Sequence, residues 1–197
     1  MKVVWIALLG FSCMFASQSE ASVEACDKGD MQACYETGVS LMAQEKQDAG
    51  VEYLRKACKF GVEKACDTLG DTYLSNKHYQ AAKPYLEVSC AKGIRSACEG
   101  LGTMYRDGLE IRQDDVKARM YYEQACEVGS KDSCINVALL YRGGFGVEKN
   151  REKEKLYYQK ACKLSSEAGC KSYTQMDNED RGIKEPGLLE KFKSLFN

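Results

Sequence analysis

Residues 56–73 read KACKFGVEKACDTLGDTY. Cys58 and Cys66 stand eight positions apart, with Gly61 three past the first and Gly70 four past the second. The layout recurs at Cys26/Cys34, Cys90/Cys98, Cys126/Cys134 and Cys162/Cys170, and the step from pair to pair is 32, 32, 36 and 36 residues. An internal period in this range is the mark of a helical solenoid, in which each repeat needs its neighbours to bury an apolar face.

Other positions keep the same register. A small residue precedes the first cysteine of every pair (Ala25, Ala57, Ser89, Ala125, Ala161), and a glycine follows three later in all but the last, where Ser165 stands. Tyr53, Tyr85, Tyr121 and Tyr157 lie five before a first cysteine; Leu41, Tyr73, Tyr105 and Tyr141 lie seven after a second one, and Asp177 breaks that series. Leu69/Tyr73 and Leu101/Tyr105 have the i, i+4 spacing of one helix face. Each unit therefore reads as two antiparallel helices. The first starts near the second cysteine of a pair. The second carries KARMYYEQAC or KEKLYYQKAC and ends near the next cysteine, where the glycine suits a left-handed cap. The two 32-residue units lack four residues present in YRDGLEIRQDD and YRGGFGVEKNR, so their inner turns should be tighter. Pro84 falls inside a second helix and should delay or bend it.

The 197-residue chain carries 28 Lys and Arg against 29 Asp and Glu. That near-neutral balance gives no electrostatic reason to expect nucleic-acid binding. Met1-Lys2 followed by VVWIALLGFSCMFA is a positive start and an apolar run too short to span a bilayer comfortably, the form of a signal peptide. Ser19 and Ala21 place cleavage before Ser22. Residues 1–21 then leave with Cys13, and eleven cysteines become ten, an even number in an exported chain. No later stretch is apolar enough for a membrane span, and the chain is expected to be secreted or periplasmic.

Residues 141–162, YRGGFGVEKNREKEKLYYQKAC, closely resemble the Sel1-like repeat, a relative of the tetratricopeptide repeat. The cysteine pairs at spacing eight resemble the Helicobacter cysteine-rich protein family. The resemblance covers residues 22–173, with departures at Glu110, where Gly146 stands in the next unit, and at Ser165. It implies an all-α, right-handed α/α solenoid of Sel1-like, TPR-related repeats, each joined to the next by a disulfide, with units at about 32–64, 65–96, 97–132 and 133–168. Residues 174–187 read as a polar linker. Leu188, Leu189, Phe192, Leu195 and Phe196 then follow an amphipathic helical spacing that should cap the array.

Pairing at spacing eight joins the end of one unit to the start of the next across a short turn and leaves no cysteine over. The rival pairing across the longer intervals strands Cys26 and Cys170. Each eight-residue bridge should contribute about 2.5 kcal/mol by loop closure. Zinc and thioredoxin-like sites favour Cys-x-x-Cys, which does not occur, and neither a metal nor another cofactor is expected. His78 falls in a turn and reads as a surface residue.

Function is less explicit. Ser89-Cys90-Ala91-Lys92 matches the Ser-x-x-Lys nucleophile motif of serine β-lactamases, but its Ser-Asp-Asn and Lys-Thr-Gly partners are absent, and Ser89 fills a slot that is alanine elsewhere. It reads as a packing residue, and no catalytic residue is assigned. Arrays of this kind present a concave face lined by first helices. Asp71, Thr103, Arg106, Asn136, Leu139 and Arg142 are the candidate lining residues, suited to peptide-backbone or carboxylate recognition. The expected ligand is a peptide, a protein or a cell-wall-derived or β-lactam molecule bound by a monomer. Slow β-lactam hydrolysis is implied by the family resemblance alone; the alternative is a purely non-catalytic peptide- or protein-binding scaffold.

Overall fold

The computed structural model describes residues 20–183. The signal-peptide reading falls almost wholly outside the described residues, as does the apolar stretch Leu188–Phe196. Among the described residues the secondary structure is entirely helical: α1 (20–27), α2 (Met31–Ala43), α3 (Gln47–Lys59), α4 (Glu63–Ser75), α5 (Tyr79–Ala91), α6 (Arg95–Asp107), α7 (Asp115–Glu127), α8 (Lys131–Gly143), α9 (Arg151–Lys163) and α10 (Glu167–Asp180). This is a repeat solenoid. The chain forms two compact units divided between Ala97 and Cys98. The first holds the short-turn repeats and the second the long-turn repeats.

Every helix from α2 to α9 has thirteen residues. First helices start three before a second cysteine, and second helices start eleven before a first cysteine. The four extra residues of the longer repeats thus lie wholly in the inner turns, 108–114 and 144–150, against 44–46 and 76–78 in the first unit. One hydrogen bond closes all four turns. The residue before the second helix donates its N–H to the carbonyl at the Leu41/tyrosine slot: Lys46 to Leu41 at 3.0 Å, His78 to Tyr73 at 2.8 Å, Asp114 to Tyr105 at 2.9 Å and Asn150 to Tyr141 at 3.1 Å. Pro84 therefore does not delay α5, which starts in register and runs continuously through it. The missing proline N–H costs one helical bond, and the flanking register outweighs it.

Small residues set the spacing within each hairpin. A Cβ on Gly38 or Gly70 would strike Leu54 or Leu86, and on Gly102 it would lie 2.6 Å from the Tyr122 ring. Toward the turns, Tyr73 stacks on Tyr85, Tyr105 on Tyr121 and Tyr141 on Tyr157, with ring centroids 5.6–5.8 Å apart. Between repeats, Cys26–Cys34, Cys58–Cys66, Cys126–Cys134 and Cys162–Cys170 are disulfides with Cα separations of 4.3–4.8 Å. Cys90 and Cys98 are disulfide-bonded as well. Such bonds fit an extracellular or periplasmic protein. Among the described residues no helix is long and apolar enough to cross a membrane.

The end of the array differs from the expected linker at 174. Helix α10 continues to Asp180, started by the Ser166 side chain, which accepts from the Gly169 N–H. Positions that face a hairpin partner elsewhere turn polar here. Thr174 stands exposed in the Gly38/Gly70/Gly102 slot, and Asp177, in the tyrosine slot, pairs with Lys155 of α9 at 3.1 Å. Lys155 and Arg151 also hold Asp180, and Arg151 holds Glu179. Ser165, where the cap glycine is missing, still adopts the left-handed conformation, with φ 62°.

Candidate functional site

In the second unit, Thr103 and Arg106 project from α6, and Asn136 and Leu139 from α8, each pair three residues apart and so on one helix face. Arg106, Asn136 and Leu139 line one cavity of about 270 Å³. Its floor includes Tyr122 of α7 and Leu140 of α8, both buried. Gln113 and Phe145 complete it from the two long turns, and Asp115 from the first turn of α7.

The polar groups are held in place. Thr103 Oγ1 and the Tyr122 hydroxyl share a hydrogen bond at 3.0 Å, and burial pushes the Tyr122 phenol up against that bond. Arg106 forks onto Asp107 through Nε and Nη2 at 2.7 and 2.9 Å, and its guanidinium lies 5.8 Å from the Tyr122 ring centroid. That pairing holds the Asp107 carboxyl below its ordinary range. The arginine is thereby oriented and largely neutralised. Gln113 Nε2 donates to Asp115 Oδ1 at 3.3 Å.

Phe145 is the least expected member. It is 56% exposed, with its ring lying over Gly143. A side chain on Gly143 would overlap its ring, and one on Gly146 would overlap the backbone of Asp115 and Val116, so two glycines let the turn lie close against the start of α7. Gly146 also takes a left-handed φ of 62°. Leu139, 42% exposed, adds a second apolar surface. A half-exposed aromatic beside an aliphatic surface and amide donors can receive an apolar side chain and bond the backbone that carries it.

The remaining sequence candidates do not join this cavity. Arg142 lies three residues beyond Leu139 but is 67% exposed and leans toward Glu154 at 3.9 Å. Asp71 is on α4 of the first unit, where burial and then the neighbouring Asp67 raise its carboxyl. Ser89 is 3% exposed with an unpartnered hydroxyl, and Lys92 pairs with Glu63 at 2.8 Å, so the Ser-x-x-Lys match is a core position beside a surface ion pair. His78 stands before α5 without a side-chain cap and borders a cavity of about 570 Å³ with Arg55, which donates to the Tyr73 hydroxyl at 3.1 Å. Among the described residues no group of three or more His, Cys, Asp or Glu side chains could hold a metal ion. Phe145, Gln113, Asp115 and Tyr122 were not singled out from the sequence. The available signal was the glycine-rich setting of Phe145 in GGFG.

The Sel1 repeat family pattern matches residues 25–61, 95–130 and 131–166. Among solved structures, the chain is similar to a protective antigen of uropathogenic Escherichia coli with an SLR fold, at 20% identity and a TM-score of 0.71, over 85% of this chain and 38% of that one. It is also similar to a Sel1 repeat protein from Oxalobacter formigenes, at 20% identity and 0.64, over 78% and 67%. Cysteine rich protein B of Helicobacter pylori is 30% identical over 63% of this chain and 93% of its own length, with a TM-score of 0.49. The present chain thus spans well under half the length of the first of these. No curated protein matches it.

Proposed function

The chain belongs to the Sel1 repeat family, and from that premise we propose that it is a non-catalytic binding scaffold. It holds an extended peptide, in the cavity bounded by Arg106, Asn136, Leu139 and Phe145, by one apolar side chain and the adjoining backbone. The half-exposed Phe145, its ring lying over Gly143 at the cavity edge, carries this reading, because an aromatic side chain has few torsions to order when a partner arrives. Asn136 offers both an amide donor and an acceptor to a peptide backbone, and Gln113 offers a second. Cell-wall peptides and β-lactams present an amide beside a compact substituent, so they fall within the same chemistry. Hydrolysis of such a ligand would need a nucleophile other than Ser89, which is buried in the core.

The test is a peptide-display selection on the oxidised protein, followed by titration of the selected peptides. Phe145→Ala should weaken them about tenfold or more, as loss of a buried aromatic anchor does. Replacing turn 144–150 by the three residues of turn 76–78 should abolish binding with the helices intact. Equal binding by both variants overturns the reading. A chromogenic β-lactam run alongside should be bound without turnover, and turnover above the protein-free rate would make the chain an enzyme instead.

A further inference from the structure

We propose that the Cys162–Cys170 bridge is a site of thiol–disulfide exchange, opened by a dithiol that leaves the other four bridges intact, and that its opening releases α10. Exchange requires a thiolate to reach one sulfur of the bridge, so access separates bridges of like geometry. The five differ in access. Both cysteines of Cys26–Cys34, Cys90–Cys98 and Cys126–Cys134 are buried, and so is Cys66 of Cys58–Cys66. Cys162 and Cys170 are both partly exposed. Charge favours the same bridge. A lysine follows each of its cysteines, Lys163 and Lys171, and no other pair carries lysine after both. Nearby ammonium groups stabilise the attacking and the leaving thiolate alike. Glu167, one turn before Cys170, offsets part of this.

Cys170 stands near the N-terminus of α10 and Cys162 near the C-terminus of α9, so the helix dipoles make Cys170 the better leaving group. The dithiol's thiolate attacks Cys162 Sγ, the bond between the two Sγ atoms breaks, and Cys170 leaves as a thiolate that takes a proton from water. The dithiol's second thiol, deprotonated, then attacks the dithiol's own sulfur in the mixed disulfide. Cys162 leaves as a thiolate, and the dithiol ends as its own disulfide, having passed two electrons to the bridge.

Helix α10 also depends on its staple more than the other first helices do. α4 packs between α3 and α5, and α8 between α7 and α9. α10 packs on α9, and among the described residues no helix follows it. Its apolar hold is Met176 against Ala138 and Tyr158, and Gly169 against Ala161. The rest is polar: Gln159 Nε2 donates to the Tyr173 hydroxyl at 3.2 Å, and Arg151 and Lys155 pair with carboxylates at the surface, where ion pairs contribute little. With the bridge open, α10 comes off α9 as a local unfolding event and bares Ala161 and Tyr158.

The oxidised protein is exposed to dithiothreitol without denaturant, quenched with iodoacetamide at intervals, and mapped by mass spectrometry. Cys162 and Cys170 should be alkylated together, about tenfold or more ahead of the other cysteines. Reduced glutathione, which carries a single thiol, should be found in mixed disulfide on Cys162. Hydrogen exchange on the protein with this one bridge reduced should show α10 amides exchanging about tenfold faster or more, with those of α4 and α8 unchanged. Cys162→Ser with Cys170→Ser should reproduce that pattern without any reductant. The proposal falls if another bridge opens first, if all five open together, if glutathione is captured on another pair, or if α10 keeps its protection once Cys162 and Cys170 are reduced.

Discussion

The two units build the same hairpin with different turns. In the first, three residues connect the helices, Glu45 and Lys77 sit in the left-handed region at φ 62° and 60°, and the residues before α3 and α5 give no side-chain cap. In the second, seven residues make the connection, glycines take most of the left-handed positions, and Asp114 and Asn150 cap α7 and α9 by accepting from the Lys117 and Lys153 N–H groups. The longer turn relieves backbone strain and contributes Gln113 and Phe145 to a cavity. The caps come from residue identity instead, since Asp114 and Asn150 hold the position that Lys46 and His78 hold in the short turns.

Substitution inside the hairpin separates the units most strongly. Tyr122→Ala removes a buried ring and leaves Thr103 without its partner, and should cost about 3–5 kcal/mol in urea unfolding. Leu54→Ala, its first-unit counterpart, strands no polar group and should cost less, within roughly 2–4 kcal/mol. Equal losses would mean that the Thr103–Tyr122 bond contributes nothing. The caps come next. Asp114→Ala and Asn150→Ala should each lower stability by about 1 kcal/mol, whereas His78→Ala at the matching position should stay within about 0.5 kcal/mol. Ser165→Gly should stabilise the second unit by about 0.5–1 kcal/mol, since the left-handed conformation is free for glycine and strained for serine. A fall in the unfolding midpoint would show that the serine side chain compensates.

Acid should move the units in opposite directions. Lys155 and Arg151 hold Asp177, Glu179 and Asp180 below the ordinary carboxylate range. Their contribution is complete above the unfolded-state pKa and is lost as pH falls through the lower folded values, so α10 should exchange its amides faster in acid. In the first unit, burial raises Asp67 and Asp71. Ionisation there opposes folding at neutral pH, and the penalty is relieved as pH falls through the raised folded values. Hydrogen exchange on α4 and α10 between neutral and mildly acid pH checks both signs. Parallel behaviour of the two helices would contradict the assigned environments.

The fold was legible because its constraints are local and repeated. A cysteine pair at eight, a small residue beside it and a glycine in the hairpin each report one backbone requirement. Pro84 misled because register, enforced by neighbouring repeats, outweighs one lost helical bond. The reading of 174–180 as a linker failed because α10 continues there, with Met176 buried against Ala138 and Tyr158 and ion pairs to α9, and a single methionine among polar residues does not announce a helix face. Of the site, Arg106, Asn136 and Leu139 could be placed by helix register. Phe145 could not, because a turn has no periodicity to project from.

The hydrogen bond from the residue before each second helix to the Leu41/tyrosine-slot carbonyl has a further consequence. It works like a clasp on a strap, fastening at the same point however much slack lies beyond it. Loops of other lengths and compositions could therefore be exchanged at each tip without disturbing the stack beneath, and new specificities could be acquired one tip at a time.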